Sequence, residues 1–162
     1  MNLSIPSAPP MHPARIPFQA QGVCFTTFDD NPHRLAFGYS GALALFPASC
    51  IHDPERDWVV LNFILPLKVP LAFRREAALL ANLLNNALPG AGFCIDPDDG
   101  GLTLRHLLHL NDGALAAQPL QTALLFLQSE LDFAYPFFLD IALGRASHLE
   151  AIARHSADPG RN

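Results

Sequence analysis

Four groups of residues have types and spacings that could do chemistry. Gly38-Tyr39-Ser40-Gly41-Ala42 approximates G-x-S-x-G, the nucleophile elbow in which a serine is held exposed where a strand turns sharply into a helix. Position 42 is alanine, however, and 162 residues is short for that hydrolase fold, so the segment reads as a glycine turn. Asp96, Asp98 and Asp99 offer oxygen ligands for calcium, yet a loop begun at Asp96 would need its bidentate glutamate at position 107, which is Leu107. A solvated hairpin turn is the reading there. His106 and His109 would neighbour each other on a helix, but three residues apart on a strand they point to opposite faces. The three cysteines, Cys24, Cys50 and Cys94, are far apart and lack C-x-x-C spacing, which fits buried thiols in a reducing compartment, the cytoplasm.

No Gly-rich phosphate loop follows a strand, and no pair of carboxylates sits in an apolar context that would raise one pKa. Residue chemistry alone therefore points to no catalytic, metal or cofactor site. Half of the chain is hydrophobic and only 15% is charged, against about 25% charged in a typical soluble domain. A chain of this length buries roughly 70% of the surface it exposes when unfolded, so part of the apolar excess is expected to face a partner. The net charge is −5, Lys68 is the single lysine, and the arginines are scattered. Such a chain offers no footprint for a nucleic-acid backbone.

Five of the fifteen prolines fall within residues 1–17. Proline supplies no amide donor and fixes φ, so this stretch reads as a flexible arm with neither helix nor central strand, disordered or laid along the surface. Its prolines also interrupt the only candidate signal-peptide core, and no later stretch reaches the roughly 18 uninterrupted apolar residues of a membrane span. From Phe18 to Leu65 short apolar pieces alternate with turn chemistry, Asp29-Asp30-Asn31-Pro32 and His52 to Asp57, which predicts strands over 21–28, 42–48 and 57–65. The piece Leu35 to Ser40 is either a strand or a distorted turn. In the third strand Val59, Leu61, Phe63 and Leu65 share one face. That wholly apolar set should face the helices.

The pattern then changes period. Over 71–88, Phe73, Ala77, Leu80, Leu84, Ala87 and Leu88 fall in one sector of a helical wheel, and Pro89-Gly90 ends the helix. Leu79 and Leu83 lie beside that sector and widen it beyond what one sheet needs. Residues 92–96 and 102–108 are β-prone runs around Pro97-Asp98-Asp99-Gly100-Gly101, the composition of a hairpin. From Ala117 to Leu143 the series Leu120, Leu124, Leu127, Leu131, Tyr135 and Phe138 repeats at helical spacing. Phe126, Phe133 and Phe137 form a separate stripe, and Pro136 should kink or divide this helix.

The segments PLKVP (66–70), the Leu- and Asn-rich helix from Leu79 to Asn86, Gly92-Phe93, Ile95 to Gly100 and Leu102 to Arg105 together resemble the YbjN domain of bacterial proteins. That domain in turn is similar to the type III secretion chaperones. The resemblance covers about half the chain and extends weakly through Tyr135-Pro136. It implies an α+β fold, a five-stranded antiparallel sheet with helices on one face in β-β-β-α-β-β-α order. The domain organisation is then an arm over 1–17, a secretion chaperone-like domain over 18–143 and a helical tail over 144–162. The amino-terminal helix of both families is expected to be replaced by the Pro-rich arm.

What the resemblance implies for function is a non-enzymatic protein that binds other proteins, as a chaperone of a secreted or partly folded client or as a regulator of the YbjN kind. The secretion chaperones are dimers, which implies a homodimer here. The apolar excess agrees in kind: Leu79, Leu83, Phe126, Phe133 and Phe137 are the candidate protein-binding residues, because monomers seldom expose apolar patches beyond a few hundred Å². The same stripes could instead be sandwiched in one core, and a small enzyme of unrecognised type is the alternative of another class.

Overall fold

The computed structural model describes residues 11–156. In chain order it contains α1 (Arg15–Ala20), β1 (Thr26–Phe28), β2 (Asn31–Ser40), β3 (Leu45–Asp53), β4 (Trp58–Lys68), a 3-10 turn (Leu71–Phe73), α2 (Arg74–Asn85), β5 (Ala91–Ile95), β6 (Gly101–His109), α3 (Ala117–Ala142) and α4 (His148–Ser156). The strands form one sheet in the order β1-β2-β3-β4-β6-β5, every neighbouring pair antiparallel.

The core follows from alternation on β4. Val59, Leu61, Phe63 and Leu65 are buried, and their cross-strand partners extend the same face. Leu61 lies opposite Cys50 on β3 and His106 on β6, and Phe63 lies opposite Ala48 and Leu104. Onto this face α3 brings Leu120, Leu127, Leu131 and Phe138, while α2 brings Ala77 and Leu80, all fully buried. The helices also pack on one another, α1 against α3 and α4 against both α2 and α3. The opposite face carries Ile51, Val60, Asn62, Ile64 and Leu107, of which Ile51 and Ile64 are exposed. No described helix covers it.

The expectation of a five-stranded sheet in β-β-β-α-β-β-α order is overturned: the sheet has six strands, and helices stand at both ends of the described chain. The additional strand is β2, the Leu35 to Ser40 piece extended back to Asn31. Pro32 disguises it, since proline cannot donate to a ladder. The structure places Pro32 in a register shift, where β1 passes from pairing Thr27 with Leu35 to pairing Phe28 with Asn31. Pro66 likewise falls in a shift between β4 and β6. In each case the ladder is interrupted where the donor is missing.

The amino-terminal stretch also differs from expectation. Residues 1–10 lie outside the described residues, but Arg15–Ala20 is helical and His12, Ala14, Pro17 and Phe18 are buried. Pro17 is tolerated because it falls in the first turn, where the amide has no intrahelical acceptor in any case. The expectation that a proline-rich segment cannot fold here fails on that point. Pro136 does not divide α3, which runs as one element from Ala117 to Ala142. Ala134 through Phe138 are all buried, so packing offsets the roughly 3 kcal/mol that an interior proline costs.

Sheet edges leave unpaired amides and carbonyls, and the β5 edge is closed by a side chain. Phe93 N–H donates to Asn85 Oδ1 at 2.7 Å, and Asn85 Nδ2 donates to the Phe93 carbonyl at 3.0 Å. The α2 amide thus pairs with the main chain as a neighbouring strand would. Asn85→Ala is expected to cost about 1–3 kcal/mol, from two lost hydrogen bonds, and to lower the melting temperature by roughly 2–10 °C. Asn85→Asp, which keeps only the acceptor, should fall between the two in thermal unfolding.

Candidate protein-binding surface

The chemical candidates are absorbed by turns and packing. Ser40 lies at the end of β2 in a hairpin to β3, paired with Leu45, and not where a strand enters a helix. Asp96 accepts the amides of Asp98 and Asp99, while Asp99 accepts the Gly101 amide and holds Lys68 at 2.5 Å. Those carboxylates shape the turn, and Lys68 and the Gly101 amide hold the Asp99 carboxyl below its usual range. His106 lies opposite Leu61 on the covered face and His109 opposite Trp58 on the other. Among the described residues no group of three or more His, Cys, Asp or Glu is arranged to hold a metal. The three thiols are free, and burial pushes Cys50 up to about 12. No described helix is long and apolar enough to cross a membrane.

The five candidate binding residues separate into three environments. Leu79 and Leu83 remain 38% and 43% exposed, one turn apart on the outer side of α2. Phe126 is half-buried in the wall of an apolar cavity of about 530 Å³ that Pro89, His106 and Pro119 also line. Phe137 is 1% exposed and belongs to the core, its ring between those of His155 (5.0 Å) and Phe133 (4.9 Å), the latter 40% exposed at the surface like the α2 leucines. The phenylalanine stripe is therefore not a single surface. Helical spacing alone does not say that α4 would cover its carboxyl-terminal end.

An exposed sheet edge that could accept a client strand is compatible with the sequence, but the sequence does not locate it: the free edge is that of β2. Strand β1 pairs only at Thr26, Thr27 and Phe28, reaching β2 no further than Ala36. From Phe37 to Ser40, β2 is paired with β3 on one side and with no described strand on the other. Beside this edge lies a notch of about 300 Å³ lined by Cys24, Phe25, Thr26, Ala36 and Phe37. The preceding segment is held away from the edge by α1. The Val23 amide bonds back to the Phe18 carbonyl, and the Phe18 ring packs on Phe25 and Phe37 at 6.0 and 5.0 Å.

The free edge is held rigidly from the other end. Asp132 on α3 accepts the Tyr39 hydroxyl at 2.6 Å and the Ala42 amide at 2.9 Å, and the carboxylate raises the Tyr39 pKa to about 12. A β-carbon at Gly41 would collide with Asp132 Oδ1 and the Phe46 ring, so the turn after β2 can approach α3 only as glycine. The strand beside the notch is preorganised, which lowers the ordering cost of binding.

Comparison with known proteins adds little to this geometry. No family model matches the chain, so the YbjN resemblance gains no support from that side. No curated protein matches it either. Among solved structures it is distantly similar to a chain of one described as the HopA1-SchA chaperone-effector complex. That alignment has 18% identity and a TM-score of 0.47 and spans 74% of this chain and 90% of the other.

The division of the five residues is checked by stability. Leu79→Asp and Leu83→Asp should each change the unfolding free energy by no more than about 1 kcal/mol, as exposed substitutions do. Phe137→Ala should cost about 3–5 kcal/mol. Denaturant titration of the three variants tests the assignment, and a large loss at Leu83 would place it in the core.

Proposed function

We propose that the protein is a binding module that takes up an extended segment of a partner polypeptide along the free edge of β2, in the manner of a chaperone holding a client. The observation that carries this reading is the contrast between the two edges of the sheet: β5 is capped at Phe93 by Asn85, whereas Phe37 to Ser40 has no described strand partner and adjoins a notch lined by both polar and apolar atoms. A row of main-chain amides and carbonyls is complementary to another extended chain, and the adjoining notch can take an alternate side chain. Apolar residues there suit an unfolded or incompletely folded segment better than a charged one.

A second copy of the chain is the other partner in this reading. Leu79 and Leu83 give α2 a small apolar row, and a two-fold dimer needs only one self-complementary patch. Free thiols accord with the reducing cytoplasm as the place of action.

Cys24 gives a direct test, since it lines the notch and is exposed, whereas Cys50 is buried and unreactive. In a Cys94→Ser background a bulky maleimide should label Cys24 alone. Binding of a reduced, carboxymethylated globular protein, followed by fluorescence anisotropy, should weaken at least tenfold on labelling. Bound probe should also slow amide exchange between Phe37 and Ser40. No binding, or binding indifferent to the label with no protection on β2, refutes the edge as the partner site.

A further inference from the structure

Three histidines from separate parts of the chain meet where the amino-terminal segment docks on the sheet. The His12 ring lies 5.8 Å from that of His52 on β3, and His52 lies 5.5 Å from His33 on β2. His12 is only 5% exposed. Its Nδ1 accepts the Ala14 amide at 3.1 Å, so the neutral ring carries its proton on Nε2, which is buried with no well-formed hydrogen bond, although the nearby Cys50 and His33 backbone partly favours the charged ring. Adding a proton would place a hydrogen on Nδ1, facing the Ala14 amide hydrogen, and a charge beside two further histidines.

The surrounding charges do little to offset this. Asp53 on β3 and Asp57 in the β3–β4 turn act on His52, and Arg15 and Asp29 share a cavity wall with His12. Helix α3, which packs against α1, carries no basic residue. Of its three carboxylates, Asp132 is engaged by Tyr39 and Ala42, Asp140 by Arg154 and His155, and Glu130 is held toward its neutral form by burial. Burial first, and then the neighbouring His52, lower the His12 pKa to about 4, and burial lowers that of His52 as well.

We propose that His12, His33 and His52 form an acid-sensitive latch on the strap of residues 12–20, and that release of the strap bares the Phe25 and Phe37 rings beside the already open β2 edge. The second half rests on the partner site argued above, because Phe18 is the strap residue packed on Phe25 and Phe37. The docked strap binds fewer protons than the released one between pH 6.5 and about 4. Docking is therefore complete above the ordinary histidine value and weakens about tenfold per pH unit as the pH falls through that window.

Hydrogen exchange on the full chain at pH 7.5, 6.5, 5.5 and 4.5, corrected for intrinsic rates, reads the latch without any partner. Amides from Ala14 to Ala20 should open about tenfold more per pH unit below 6.5, while those of α3 stay protected. In His12→Asn the side-chain oxygen can still accept the Ala14 amide but does not titrate, so the pH dependence should vanish. His52→Gln, which removes a repelling neighbour, should shift the opening to lower pH. A slope that persists in His12→Asn, or loss of α3 protection together with the strap, overturns the latch. Binding of the carboxymethylated probe should rise from pH 7.5 to 5.5 in the wild type and not in His12→Asn. A strap that opens with no rise in binding overturns its link to the β2 edge and leaves the latch standing.

Discussion

One-sided burial of an antiparallel sheet is the constraint on which the rest of the structure depends. Strand β4 lies between β3 and β6 and carries Val59, Leu61, Phe63 and Leu65 on one face. Because successive side chains alternate, the register of β4 fixes which residues of both neighbours turn toward the helices. A slip of one residue would bring Asn62 and Trp58 inward. Every helix then has one place to go, and four helices sharing one face must also pack against each other. The wide stripe on α2 and the two stripes on α3 are mostly used for this purpose.

The same constraint leaves a sheet with two edges, and the chain treats them differently. At β5 a side-chain amide substitutes for a seventh strand. At β2 the protecting strand stops at three residues, and the segment leading into it is drawn off the edge by α1. Unprotected edges invite pairing with other chains, and proteins usually cover them. An edge left open on a strand clamped by Asp132 is therefore more consistent with use than with neglect. The exposed leucines of α2 are a lesser feature, since single apolar side chains at surfaces are common.

Much of the fold was legible because periodicity and punctuation agree over β4, α2, the β5–β6 hairpin and α3. Leu61 and Phe63 on the strand and Leu80 on the helix point to the same arrangement, although α2 spans Arg74–Asn85 and stops short of Pro89-Gly90, inside the expected 71–88. What was not legible depends on contacts between distant residues. Pro32 argues against a strand until one knows that it falls in a register shift, and Pro17 argues against a helix until one knows that α1 begins at Arg15. The candidate site was legible in part: the outward row of Leu79 and Leu83 could be read from a wheel, but the burial of Phe137 by α4 could not. That some sheet edge could accept a strand was readable in kind, but not that it is β2, because this depends on where a neighbouring strand ends.

The helices at the two ends of the described chain are held by different physics, and acid acts on them in different pH ranges. Helix α1 docks through apolar side chains and a neutral buried imidazole, which in the proposed latch protons loosen. Helix α4 docks through charge. Asp140, almost buried, takes Arg154 at 2.8 Å and His155 at 3.1 Å, and Glu76 on α2 takes His148 at 2.6 Å. Hydrogen bonds from His148 hold the Glu76 carboxyl below its ordinary value of 4.5. A depressed carboxyl contributes stability that is lost only as the pH falls through the folded value, so this contact persists across the range in which His12 would take up a proton. Glu76 thus keeps α4 on α2 across the range in which the proposed latch opens. The chain can open at one edge without losing the core that positions it.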